Sequence, residues 1–154
     1  DPFTIMYDTW KLHSRQLVDM SPDDARKAAA EIDAKVLSNR KPPYSLAGGL
    51  FDAMEDAGGD MFKATNEELR FWKKRFAELE GIDIHDAPAV AVASLAAAVK
   101  ERAVKKDETI MLNITGGGEE LAKSQQEIFY AKPHLILDPA LPTEEVISSV
   151  KALF

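Results

Sequence analysis

Met111-Leu112-Asn113-Ile114-Thr115-Gly116-Gly117-Gly118 is an apolar run that ends in a hydroxyl residue and three glycines, followed by Glu119-Glu120-Leu121. The run from Thr109 to Ile114 reads as a buried strand. A strand that stops on Thr and Gly presents one side-chain hydroxyl and bare backbone at its end, where open α/β sheets keep their ligands. Glycine also lets a ligand or a second chain segment approach closely and permits positive φ. Alone, the run fits a plain tight turn equally well. Its meaning comes from the rest of the chain.

Working outward, the chain alternates helices with isolated apolar runs. Glu119 to Glu127 reads as a helix, Pro133-His134-Leu135-Ile136-Leu137 as a strand, and Thr143 as the start of a closing helix to Phe154. On the other side, Asp86-Ala87-Pro88 opens a helix that stays apolar nearly all round from Ala89 to Val99, a pattern found inside larger assemblies. Thr65-Asn66-Glu67-Glu68 is a capping box, and the helix behind it stacks Leu69, Trp72, Phe76 and Leu79. Between these two helices, Glu80-Gly81-Ile82-Asp83-Ile84 reads as a strand end or loop. Asp60 to Ala64 reads as a short strand, and Leu50 to Ala57 as a helix stopped by Gly58-Gly59. Ser21-Pro22-Asp23-Asp24 starts a helix expected to reach Leu37, with Ala29, Ile32 and Val36 on one face. Asn39-Arg40-Lys41-Pro42-Pro43 ends it. Residues 1–20 read as an irregular N-terminal arm, and 21–154 as the α/β part. The expected fold class is α/β, a three-layer helix-sheet-helix arrangement. Its few strands suggest a sheet completed by residues outside this chain.

At 154 residues, with 45% hydrophobic and 29% charged residues, the chain has the make-up of a globular protein able to bury a core. A net charge of −7 argues against a nucleic-acid surface. The basic clusters Lys73-Lys74-Arg75 and Lys105-Lys106 read as solvated helix faces. With no cysteine, thiol nucleophiles, thiolate metal sites and disulfides are excluded, which fits a reducing cytoplasm. No apolar run approaches a membrane span. His13, His85 and His134 are too scattered for a metal site. The start at Asp1-Pro2-Phe3, without Met, is expected of a piece cut from a longer protein.

Read together, two segments carry a resemblance. Glu80-Gly81-Ile82, followed by Ala87-Pro88-Ala89-Val90-Ala91 and then by the Thr115-Gly116-Gly117-Gly118 turn about thirty residues on, resembles the pyridoxal-phosphate enzymes of fold type II. Within them, Asn39-Arg40-Lys41-Pro42-Pro43-Tyr44, Thr65-Asn66-Glu67-Glu68 and Leu112-Asn113-Ile114-Thr115-Gly116-Gly117-Gly118 look most like the C-terminal portion of the cysteate synthase family. These are threonine synthase paralogues of methanogenic archaea. The likeness runs from about Pro2 to Gly118.

That resemblance implies pyridoxal 5'-phosphate as cofactor, with the Thr115 hydroxyl at the pyridine nitrogen. Gly116 and Gly117 would pass beside the ring, and Glu80 and Gly81 would lie near its O3′ edge. A neutral hydroxyl leaves that nitrogen largely unprotonated, which suits β- or γ-elimination and replacement over transamination. The implied reaction is O-phosphoserine plus sulfite to cysteate plus phosphate, a step of coenzyme M biosynthesis in a cytoplasmic homo-oligomer. Arg40, with Asn39 or Lys41, could hold the anionic group, since a guanidinium suits an oxyanion. Equally, Arg40 could be a plain helix-end cation. No catalytic residue is assigned: the Schiff-base lysine and the phosphate loop precede this region in the family, so the chain alone is expected to be inactive. The alternatives are threonine synthase chemistry on O-phosphohomoserine, and a non-catalytic module gripping a phosphate at Thr115 to Gly118. Against the module, Glu119-Glu120 would repel a phosphate.

Overall fold

A computed structural model of the chain describes residues 3–39 and 41–154. Its named helices are α1 Ile5–Lys11, α2 Pro22–Glu31, α3 Leu50–Ala57, α4 Asn66–Glu80, α5 Asp86–Lys100, α6 Glu119–Gln125 and α7 Thr143–Lys151, with a 3₁₀ turn at Lys35–Leu37. The chain divides into two units, the first ending at Ala122 and the second running Lys123–Phe154.

The first unit is built on α4 and α5, which pack against each other. The Thr65 hydroxyl accepts from the Glu68 amide while the Glu68 carboxylate accepts from the Thr65 amide, so the capping box is closed both ways. Behind that cap, Leu69 is 2% exposed and joins Ala34, Ile84 and Ala89 in the core. Phe76, Val90, Val92 and Ile114 pack around them. Leu79, expected in the same stripe, is exposed, because the apolar stripe of α4 runs past the end of this core. The far faces of α5 are half-buried rather than enclosed.

α2 stops at Glu31, short of Leu37. Ile32 turns into extended backbone at ψ 145°, which buries its side chain. The Lys35 ammonium donates to the carbonyls of Ala29 and Ala30 at 2.8 and 2.7 Å, satisfying orphan acceptors at the helix end. Asn66 fixes the exit, accepting from the Asp33 amide at 3.0 Å and donating to the Glu31 carbonyl at 2.8 Å. Burying Ile32 and Ala34 thus outweighs continuing the helix, and Val36 is left exposed.

The stretch expected as an irregular arm contains α1, with Ile5, Thr9 and Trp10 buried. The Trp10 indole donates to Asp60 at 3.0 Å and meets Phe51 edge-on at 5.7 Å. Tyr44, wholly buried, packs edge-on to the same Phe51, and its hydroxyl donates to the Ser14 carbonyl at 3.0 Å. This aromatic cluster ties the Pro42-Pro43-Tyr44 segment to the N-terminal helix. Ion pairs flank it: Lys11 with Asp60 at 2.7 Å, and Arg15 with Asp52.

The expected sheet does not form here. Among the described residues no β-ladder occurs, and the one pairing between extended segments is an isolated antiparallel bridge between Ile84 and Gly117. The runs 60–64, 109–114 and 133–137 take no regular structure. A strand needs a neighbour to satisfy its amides and carbonyls, and these runs find none among the described residues. The three-layer α/β arrangement is therefore absent from the described residues, whose regular elements are helices. In the second unit, α7 follows a turn at Asp138, whose carbonyl accepts from the Leu141 amide at 3.1 Å. Among the described residues no helix is long and apolar enough to cross a membrane.

Two outcomes follow. Truncating Ile84 to Ala removes a fully buried side chain from the core and should cost about 3 kcal/mol in chemical denaturation. The second concerns pH. The Lys11 ammonium holds the Asp60 carboxyl below its ordinary range, and the Arg15 guanidinium does the same for Asp52. Carboxyls depressed in the fold contribute fully above their unfolded values and lose that contribution as pH falls through the folded ones. The denaturation midpoint should therefore hold steady down to about pH 5 and drop below about pH 4. Asp60→Asn should flatten part of that drop, by a small amount because the pair is half exposed.

Candidate functional site: the Gly81–His85 link against the Thr115–Gly118 turn

α4 ends at Glu80 because Gly81 takes the left-handed conformation, φ 72°, that closes a helix at low cost. Glu80, expected in a loop, is therefore the last helical residue. The chain then crosses to α5 through Ile82, Asp83, Ile84 and His85. Ile84 is 2% exposed and pins this crossing to the core. Ile114 packs on the same core from the other segment. Two apolar anchors thus bring together stretches about thirty residues apart in sequence.

Backbone bonds complete the pairing on both sides of the Ile84–Gly117 bridge. The His85 amide donates to the Gly116 carbonyl at 3.1 Å, and the Gly118 amide donates to the Asp83 carbonyl at 2.7 Å. This contact explains the glycines. A Cβ on Gly117 would stand 2.3 Å from the Asp83 carbonyl oxygen and 2.7 Å from Ile84 Cα. One on Gly116 would stand 2.9 Å from His85 Nδ1. Gly118 sits at φ 78°, where a side chain would be strained.

Asp83 contributes its side chain as well as its carbonyl. Its carboxylate accepts from the Glu120 and Leu121 amides, both at 3.2 Å. These are among the first amides of α6, which follows Gly118 and so has no Ser, Thr, Asp or Asn of its own at the N-cap. Desolvation is the largest single influence on the Asp83 carboxyl and pushes it upward. The amides of Glu120, Leu121, Asp83 and Glu119 together outweigh it and hold the group below the ordinary carboxylate range.

Beside this junction lies a cleft of about 450 Å³, whose lining includes Thr115, Gly116, His85, Pro88, Lys73 and Asp86. Lys73 donates to Asp86 at 2.7 Å across it. His85 and Glu119 stand 3.8 Å apart, an ion pair when the imidazole is protonated. Thr115 is exposed, so its hydroxyl can meet a ligand.

Of the residues singled out from the sequence, Thr115 and Gly116 share this cleft. Gly117 lies at the junction, committed to the 83–85 segment. Glu80 and Gly81 are exposed at the end of α4 and outside the lining. Asn39 is exposed and turns back on its own chain, its side-chain oxygen accepting from the Lys41 amide at 3.0 Å. Arg40 lies outside the described residues. Sequence reasoning passed over Asp83, His85 and the Lys73–Asp86 pair. The available signal for Asp83 was a helix starting behind glycine with no cap nearby.

Because Gly117 has backbone on the side a Cβ would occupy, Gly117→Ala should separate the two segments. The expected cost is about 2 kcal/mol in denaturation, with faster exchange of the His85 and Gly118 amides.

Comparison of the sequence with known proteins finds relatives. No protein-family model matches the chain, and no solved structure matches it. Among curated proteins, it is 45% identical over 135 residues to the cysteate synthase of Methanosarcina mazei, covering 87% of this chain and 32% of that protein. The cysteate synthase of Methanosarcina acetivorans is 43% identical over 147 residues, 94% of this chain and 35% of its own length. That of Methanocella paludicola is 38% identical over 152 residues, 97% of this chain and 35% of its own. The chain therefore spans about a third of the length of the curated relatives it matches. Over nearly all of its own length, it is similar to archaeal cysteate synthases.

Proposed function

We propose that these residues form part of a pyridoxal-phosphate-dependent cysteate synthase, with Thr115 at the cofactor. The observation that carries this reading is the identity of 43% over 94% of the chain to a protein of that name. The cleft agrees with it in part. A neutral, exposed hydroxyl at Thr115 beside Gly116 suits the nitrogen edge of a flat heterocycle, and Pro88 adds an apolar wall. When bound, the cofactor supplies the electron sink for replacement at the β-carbon. In the proposed reaction sulfite sulfur forms the new C–S bond, and phosphate leaves with the electrons of the broken C–O bond.

The chain's own part is to position and to exclude. Thr115 would hold the ring nitrogen without protonating it, which restrains transamination. The glycines at 116 and 117 admit the 83–85 segment, which keeps Thr115 in place. Neither lysine of the cleft is suited to imine formation, which needs a desolvated, free amine: Lys73 is paired with Asp86, and Lys35 is bound to two carbonyls. The imine-forming lysine and the phosphate loop would then come from residues outside this chain. So would the strands that pair with runs 109–114 and 133–137, completing a three-layer α/β domain of fold type II. Arg40 and Asn39 would contact the substrate anion, and Glu80 and Gly81 the cofactor's O3′ side. The assembly would be a cytoplasmic homo-oligomer serving coenzyme M biosynthesis. A free phosphate-binding role for the turn is disfavoured, because the Asp83 carboxylate already sits on the α6 amides.

The test uses the natural gene product that carries these residues, loaded with pyridoxal phosphate. Cysteate and phosphate should form in equal amounts from O-phosphoserine and sulfite, and Thr115→Val should lower kcat/KM about tenfold. Threonine formation from O-phosphohomoserine in place of cysteate, or no product from either substrate, would overturn the reading.

A further inference from the structure

Three backbone amides of the turn-helix junction converge on one residue. The Gly118 amide donates to the Asp83 carbonyl at 2.7 Å, and the Glu120 and Leu121 amides donate to its carboxylate at 3.2 Å. Asp83 stands directly before Ile84, the side chain that anchors the α4–α5 link in the core. Its own backbone approaches Gly117 so closely that no Cβ fits between them. The three-dimensional place of the Thr115–Gly118 turn is therefore set by the α4–α5 link, which the turn's glycines let approach.

We propose that Asp83 is a positioning residue for Thr115. It fastens the first turn of α6 to the α4–α5 link and thereby fixes where the Thr115 hydroxyl faces the cleft. This rests on the reading of Thr115 as the residue that meets the cofactor. Asp83 lies outside the cleft lining and acts through the turn, touching no reacting atom. A carboxylate suits this place because two amides are held at once. Its two oxygens each accept one, with Oδ2 taking Glu120 and Oδ1 taking Leu121. An amide side chain in the same pose keeps one oxygen on one amide and turns an NH2 donor toward the other.

The experiment compares Asp83→Ala, Asp83→Asn and Thr115→Val in the full natural protein. The readouts are amide exchange over residues 116–122, pyridoxal phosphate affinity by absorbance titration, and melting temperature. Asp83→Ala should speed exchange of the Gly118, Glu120 and Leu121 amides and weaken cofactor binding about tenfold. Asp83→Asn, which preserves shape and one acceptor, should fall between it and the parent in both. Thr115→Val should weaken cofactor binding with exchange unchanged, and adding Asp83→Ala to it should weaken binding by less than the product of the two effects. Unchanged exchange in Asp83→Ala and Asp83→Asn would overturn the proposal. So would faster exchange with undiminished cofactor affinity while Thr115→Val still weakens binding. If Thr115→Val leaves affinity unchanged, the reading of Thr115 at the cofactor fails. The exchange readout then still tells whether Asp83 holds the turn.

Discussion

The burial of Ile84 is the constraint on which the rest of the first unit depends. A side chain that is 2% exposed fixes the height at which the α4–α5 link crosses the core. From there the neighbouring backbone reaches the glycine turn, and Asp83 reaches α6. If the link rode higher, the Gly117 contact would open, and Thr115 would lose its fixed relation to the cleft. The apolar contact supplies the energy, and the short hydrogen-bonded bridge supplies the register.

The glycines acquire a different meaning in that setting. Three in a row beside a hydroxyl suggest backbone laid bare for a ligand. In the fold, Gly116 and Gly117 are bare because another part of the same chain presses on them. The two uses are compatible. A turn clamped on one face is a better support for a hydroxyl on the other, since a side chain on a rigid turn loses less freedom on meeting its ligand. Thr115 is exposed while the turn that carries it is held.

Local features were the most legible in the sequence. Thr65 and Glu68 form the capping box that their spacing predicts, and Ser21 caps α2 by accepting from the Asp24 amide. α3 ends on Gly58 in the left-handed region, as a glycine pair after an apolar helix suggests. These elements depend on residues within one turn of one another. The runs 60–64, 109–114 and 133–137, which read as strands, take no regular structure here for the opposite reason. A β-strand is completed by its neighbours, and an apolar run carries no mark of whether a partner is present in the same chain. The end of α2 was lost to a similar cause, the pull of the core on Ile32 and Ala34 against the local preference for helix.

The sequence by itself determined where most helices begin and that this chain holds no cysteine, and it singled out Thr115 and its glycines as candidates. It also carried the family likeness, because motifs are strings of residue identities. Only the tertiary structure decided that the Gly81–His85 link and the Thr115–Gly118 turn touch, and that Asp83 joins them. The reason is physical. Ile84 and Ile114 are unremarkable apolar letters until they pack into the same core, and Asp83 is one acid among many until the first amides of α6 arrive beside it.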